Sequence, residues 1–333
     1  MAFRGGGNQR TGTGTRAAAR LSHAVSWVVE RRGACEVRGG RVHVVAGAAA
    51  LALSAGLGLV LGGAAAGRAV ARPQAATPAA GAFDRGRFAA PTRVDNRWWP
   101  LVPGTRFTLV GSANRGDGRR PHRVLFTVTD LTKVVDGVTT VVVWDRDFNA
   151  GRLLEDELAF NAQDDDGTVW NFGEYPEQYE HGRLTGAPDT WIVGRAGARA
   201  GIAMPGRPRL GTASYLQGWA PAIEFSDRAR VFGTGRRTCV PLGCFRGVLE
   251  MDEWNPTEHG AHERKFYAPG VGNIRVGVAS GKEREGLVLE RVERLSAGAM
   301  VTVRRKALAL DRRAYRVSRG VYGRTERARR AGG

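Results

Sequence analysis

The chain has 333 residues, 42% of them hydrophobic, and a formal net charge of +18. That is enough material for one large or two small domains with a sizeable core. The basic charge sits at the ends: residues 1–71 hold nine Lys/Arg against two acids, 304–333 hold eleven against two, and 72–303 hold thirty against twenty-eight. A body this near neutrality argues against specific nucleic-acid binding, and basic termini read as solvated arms.

Residues 1–43 form a basic leader. Residues 44–67, VVAGAAALALSAGLGLVLGGAAAG, carry no charge, follow Arg31, Arg32, Arg38 and Arg41, and are long enough to cross a bilayer. Ala64-Ala65-Ala66 and Ala69-Val70-Ala71 fit the small-x-small pattern of a signal peptidase site. Residues 44–71 therefore read as a signal peptide or N-terminal anchor, with Gly/Ala richness favouring the cleaved signal. The expectation is an extracytoplasmic protein, secreted or tethered through 44–67. Residues 72–95 are rich in Ala, Arg and Pro without a period and read as a disordered linker.

Order is expected from Asn96, with Trp98 and Trp99 anchored on a sheet. The runs VLFTVTDLTKVV and VTTVVVWDRDF flank Asp136-Gly137, a strong hairpin signal. A second hairpin joins LLEDELAFNAQ to TVWNFGE through DDDG. A three-residue loop Asp165-Asp166-Gly167 would set Asp164 against Thr168, Ala162 against Trp170, Asn161 against Asn171 and Phe160 against Phe172. Further strands are suggested by TWIVG, IEFS, ARVFG, FRGVLEMDEW, ERKFYAPGVGNIRVG and GLVLERVERL. Helical periodicity is nearly absent until Ser296, which would cap a helix with Ala299, Val303, Ala307, Leu310 and Ala314 on one stripe. The expected fold is mainly β: a single antiparallel curved sheet or half-barrel over 96–295, then a basic C-terminal helix and tail over 296–333.

Several residues are candidates for chemistry. Asp164, Asp165, Asp166 and Glu174 crowd hard oxygen ligands near one turn, which would suit calcium, although Gly167 is misplaced for an EF-hand. By position the three aspartates are turn residues. Asp145, Asp147, Glu174 and Glu177 could supply an acid–base pair, but nothing in their spacing makes two of them meet. There is no G-x-S-x-G elbow, and Gly270-Val271-Gly272 precedes a strand rather than a helix, so it is no phosphate loop. Cys239 and Cys244, in TCVPLGCF, read in an oxidising compartment as a disulfide; zinc shared with His259 and His262, or free thiols, are the alternatives. His181, like those two, reads as a surface or loop histidine. Seven tryptophans between Trp98 and Trp254 read mostly as core, or as the lining of a cavity for an apolar or sugar ligand.

In AQDDDGTVWNFGE, GIAMPGRPRLGTASYLQ, CVPLGCFRGVLEMDEW and ERKFYAPGVGNIRVG the chain resembles an uncharacterised family of exported bacterial β-rich proteins. Its members share an AQD-x-x-G-x-VW-x-FGE hairpin, an MP-x-x-P loop and a YAPGVG turn. The likeness spans roughly residues 96–295 and implies export and a β-rich domain, with no catalytic residues to carry over. A remoter, fold-level similarity is to half-barrel lipid and lipoprotein carriers of bacterial envelopes. The function expected is a non-enzymatic envelope protein that holds an apolar or envelope-derived ligand on its sheet, with Phe160, Trp170 and Phe172 lining the face. The basic tail would rest on anionic lipid or cell-wall polymer. The alternatives are a metal-dependent extracellular hydrolase using Asp145, Asp147, Asp164, Asp166 and Glu174, and a structural surface module without a ligand.

Overall fold

A computed structural model describes residues 83–114, 118–257, 260–280 and 285–332. The leader, the signal or anchor, the first part of the linker and His259 lie outside the described residues. The strands in chain order are β1 (Thr105–Asn114), β2 (Arg119–Val135), β3 (Val138–Asn149), β4 (Arg152–Gln163), β5 (Val169–Glu180), β6 (Arg183–Gly186), β7 (Trp191–Ile192) and β8 (Arg199–Met204). They continue with β9 (Tyr215–Leu216), β10 (Gly218–Trp219), β11 (Arg228–Val240), β12 (Gly243–Trp254), β13 (His262–Ala268), β14 (Gly272–Ser280) and β15 (Glu285–Arg294). Helices α1 (Ala297–Val317) and α2 (Arg319–Tyr322) follow, then β16 (Arg329–Arg330). All pair antiparallel into one sheet, whose main path runs β10-β8-β5-β4-β3-β2-β1-β15-β14-β13-β12-β11-β9. The mainly β class, the single antiparallel sheet and the C-terminal helix are as expected.

The chain itself makes this sheet roll up. β9 pairs with β11 at one edge and β10 pairs with β8 at the other, yet only Gln217 separates β9 from β10. The two edges must therefore meet at Gln217, whose amide donates to the Asp227 carbonyl (2.8 Å). Rolling gives the sheet an inner and an outer face, and each has its own core. The inner core includes Trp99, Phe107, Leu109, Val124, Val143, Met251, Tyr267 and Leu289. The outer core includes Val142, Leu158, Phe160, Trp170 and Phe172 with Val303, Ala307 and Leu310 of α1. Val141, Val142 and Val143 are all buried, which explains an unbroken valine run where a half-exposed strand would alternate.

Local chemistry sets the hairpins. Asp136 (φ 49°) and Gly137 (φ 84°) make a two-residue turn with both residues left-handed, and Val135 faces Val138, the turn whose twist suits β2 and β3. At the DDDG hairpin the Asp164 amide donates to the Thr168 carbonyl, Gly167 is left-handed (φ 81°), and Ala162 faces Trp170 and Asn161 faces Asn171, as expected. Beyond that pair the register slips. Phe160 faces Gly173, not Phe172, because a bulge intervenes. Gly173 permits it with φ 137°, and the Asn171 side chain accepts its amide (3.0 Å).

Other differences have equally local causes. The stretch expected as linker is ordered from Phe83 onward: a 3-10 turn at Arg85–Arg87 places Phe83 5.4 Å from Trp170 and Phe88 5.6 Å from Phe172. The IEFS segment is not a strand; Pro221–Ile223 forms a 3-10 turn and Glu224 is left-handed. Ser296 caps α1 through the Ala299 amide as expected, but Met300 rather than Ala299 begins the buried stripe, and Asp311 joins it. The C-terminal tail docks onto the sheet. Lys133 of β2 donates to Asp311 (3.1 Å), Tyr315 (3.2 Å) and the Glu326 carbonyl, and β16 pairs with β2. Among the described residues no helix is long and apolar enough to cross a membrane.

Candidate functional site: a carboxylate-lined cavity inside the rolled sheet

In an antiparallel ladder, residues that face each other across two strands share a face. β3 and β4 set Asp145 against Glu157 and Asp147 against Glu155. β2 sets Val124 against Asp147 and Val128 against Val143, and β1 sets Phe107 against Phe126 and Leu109 against Val124. On the far part of the rolled sheet, β12 sets Glu253 against Glu263 and Met251 against Lys265, and β14 sets Val276 against Lys265 and against Leu287 of β15. The inner face is thus layered, with an apolar layer of Phe107, Leu109, Phe126, Val143, Tyr267 and Leu289 beneath one of carboxylates.

Where the layers meet, a partly enclosed cavity of about 60 Å³ is lined by Trp99, Leu101, Phe107, Leu109, Val124, Phe126, Val271, Val276 and Leu287, together with Asp145, Glu263, Lys265 and Glu285. That space equals roughly four to six waters. Its aromatic wall is continuous: Trp99 and Phe107 each lie 5.9 Å edge-on from Phe126, and Trp99 lies 5.5 Å from Tyr267.

The charges around this cavity are unevenly matched. Lys265, 5% exposed, binds Glu253 at 2.8 Å and Glu263 at 3.5 Å. Burial alone would lower its pKa, but Glu253 and then Glu263 outweigh burial and hold it above the usual lysine value. Glu263 is pushed up to about 8, by burial first and by Glu285 and Glu253, although Lys265 pulls the other way. His122 approaches Asp147 (3.4 Å) and Glu285 (3.5 Å). Asp145 has no such partner. It is 3% exposed, no side chain donates to either oxygen, and burial followed by the charge of Asp147 raises its pKa to about 7 against the smaller opposing pull of the Arg146 amide and guanidinium. Glu155 is raised well above the ordinary carboxylate range by burial and then by Glu157, Asp147, Asp145 and Glu174. Burying a charge without a side-chain partner is costly, so the placement of Asp145 at the cavity points to use rather than to stability.

The residues singled out from sequence fall elsewhere. Phe160 and Phe172 are 0% exposed and Trp170 is 4% exposed, all on the outer face. Phe160 packs on Tyr322 (6.2 Å), and Phe172 on Phe83 (5.6 Å). That face is covered by the helices and the Phe83–Phe88 segment, which bury these three rings away from the inner face.

Asp164, Asp165, Asp166 and Glu174 are not brought together either. Asp164 accepts from the amides of Asp166 and Thr168 and from the Trp170 indole (2.9 Å), so it builds the turn and pins that ring. Asp165 accepts from the Ala89 amide, and Asp166 pairs with Arg87. Glu174 accepts from Asn171 (2.8 Å) and Trp191 (3.2 Å) in the interior. Glu177 is spent on Tyr175, Tyr179 and Arg313. Among the described residues no group of three His, Cys, Asp or Glu is placed to hold a metal ion.

Cys239 and Cys244 face each other across β11 and β12 and form a disulfide. His262 stacks on Trp254 and contacts Asp252 (3.1 Å), which leaves zinc at the cysteines without support.

Sequence reasoning named Asp145 and Asp147 but missed Glu155, Glu157, Glu263 and Lys265 as their companions. The spacing concealed them: counted from the Ala150-Gly151 turn, Asp147 would face Leu154, and only the register shift between Asp147 and Phe148 sets Asp147 against Glu155 and Asp145 against Glu157.

No family model matches the chain, and no curated protein matches it. Among solved structures it is similar to a Bacteroides fragilis protein described as exported and of YmcC-like fold, at 16% identity and a TM-score of 0.35, over 60% of this chain and 99% of that one. It is also similar to a Parabacteroides distasonis protein described as a lipoprotein, at 11% identity and a TM-score of 0.33, over 60% of this chain and all of that one. Likeness this remote carries no weight for function.

Proposed function

We propose that this chain is a non-enzymatic binding protein of the cell envelope that takes an apolar or envelope-derived ligand into the interior of its rolled sheet. The observation that carries the reading is the cavity walled by Trp99, Phe107, Leu109, Phe126 and Leu287. Pockets of this kind, mostly apolar with a few polar groups, are the usual form of a small-molecule site. At about 60 Å³ it suits a small molecule or the end of a single chain, not a whole lipid. Export through residues 44–71 fits the Cys239–Cys244 disulfide, a bond favoured outside the cytoplasm. Arg305, Lys306, Arg312, Arg316 and Arg319 are exposed on the C-terminal helices and supply the basic surface that would rest on anionic lipid or cell-wall polymer.

Native mass spectrometry of the full-length protein from an exporting host tests the reading. An adduct released by mild denaturation, or uptake of added hexanol, is expected. A bare protein that takes up no hexanol overturns it.

A further inference from the structure

Three carboxylates line the cavity, and two of them already have a basic neighbour. Glu263 lies 3.5 Å from Lys265, and Glu285 lies 3.5 Å from His122. The third, Asp145, is 97% buried by its 3% exposure, borders the cavity, and receives a hydrogen bond from no side chain. Burial and Asp147 push the Asp145 pKa up more than the Arg146 amide and guanidinium pull it down. Residue 146 faces Asp156, on the opposite side of the sheet from Asp145, and its guanidinium stacks over Trp144 at 4.1 Å. The one lysine in the lining is held by Glu253 at 2.8 Å. A buried acceptor facing an open space, with its basic neighbours committed elsewhere, is the complement of a donor that arrives with the ligand.

The walls say what kind of donor. A divalent ion needs several oxygen ligands converging at one point, and no group of three donors is so placed among the described residues. The rings of Trp99, Phe107 and Phe126 line the space instead, and aromatic rings attract alkylammonium groups. The Trp99 indole N–H also lacks a partner and is open to an acceptor oxygen on the same ligand.

We propose that the cavity selects an organic cation, a protonated amine on a short apolar body, whose ammonium group pairs with Asp145. The inference rests on the cavity being the binding site. It adds that the head group is cationic and names the residue that receives it.

The test is isothermal titration calorimetry on the full-length protein at pH 7.5 with hexylamine, hexanol and hexanoate. Hexylamine should bind about tenfold more tightly than hexanol or better, the worth of one charge-assisted hydrogen bond, and hexanoate should bind weakest. Asp145→Asn should erase the preference for the amine while hexanol binds as before. Glu155→Gln, on the same face but outside the lining, should keep it. Equal binding of hexylamine and hexanol, or a preference for hexanoate, overturns the cationic head and leaves the apolar cavity standing. Equal loss in the Asp145 and Glu155 variants overturns the direct contact, since a general negative potential would then explain the selectivity. If none of the three ligands binds, the cavity reading itself fails.

Discussion

Replacing Asp145 with asparagine should make the protein more stable at alkaline pH and leave it nearly unchanged in acid. The carboxyl is raised from 3.8 to about 7, by burial first and then by Asp147. Charged groups face it from each neighbouring strand: Asp147 on β3, His122 on β2, Glu155 and Glu157 on β4, Glu174 on β5, Glu263 and Lys265 on β13, and Glu285 on β15.

The sign follows from proton counts. Between pH 4 and 7 the folded protein keeps the Asp145 proton that the unfolded chain has lost, so stability falls as pH rises through this window and stays reduced above it. A shift of about three units is worth about 4 kcal/mol, an upper figure because the neighbouring carboxyls can take up the released proton. Asparagine resembles the protonated side chain and cannot ionise.

Urea unfolding followed by tryptophan fluorescence, at pH 4 to 8.5, should show nearly equal stabilities at pH 4. Near pH 8 a gap of about 2–4 kcal/mol should favour the variant. Groups remote from Asp145 cancel in the difference between the two proteins, whereas Glu155, whose pKa the Asp145 charge helps to raise, contributes a smaller change of its own. A gap independent of pH, or a variant less stable at pH 8, would refute the claim that Asp145 is an unmatched buried carboxyl.

Two further outcomes test how the outer face is held. Lys133→Ala leaves Asp311 buried without its 3.1 Å partner, and should cost about 3–5 kcal/mol in chemical denaturation. The double replacement Lys133→Met with Asp311→Leu should recover most of that loss. Gly173→Ala would place a methyl 2.4 Å from the Trp191 carbonyl oxygen at φ 137°. It should lower stability by at least about 2 kcal/mol, and a neutral result would mean that the bulge is not where the register shifts.

Local rules were readable in the chain. Asp136-Gly137 specified its turn because it tolerates two left-handed residues. The DDDG loop followed from matching Ala162 to Trp170 and Asn161 to Asn171. Ser296 and the spacing of Val303, Ala307, Leu310 and Ala314 marked the helix. One local feature escaped: the bulge before Gly173 shifts Phe160 by one partner, and glycine in a strand signals several things besides a bulge.

The site was legible only in part. Asp145 and Asp147 stood out as acids, but their importance comes from Glu155 and Glu157 beside them and from Lys265, Glu263 and Glu285 across the rolled sheet. The aromatic hairpin drew attention to Phe160, Trp170 and Phe172, which share a face as expected and lie in the outer core under α1 and the Phe83–Phe88 segment. Alternation along a strand says which residues share a face; it does not say what covers that face when both sides are apolar.

The amino-acid sequence by itself therefore determined the antiparallel β class, the hairpins, the capped C-terminal helix and the near-neutral body between basic ends. Each of these depends on residues close together in the chain. Only the tertiary structure decided which face of the sheet is closed by the helix and which encloses a cavity. That choice follows from the meeting of β9 and β10 at Gln217 and from the docking of residues 297–330 onto β2, contacts between segments far apart in the chain.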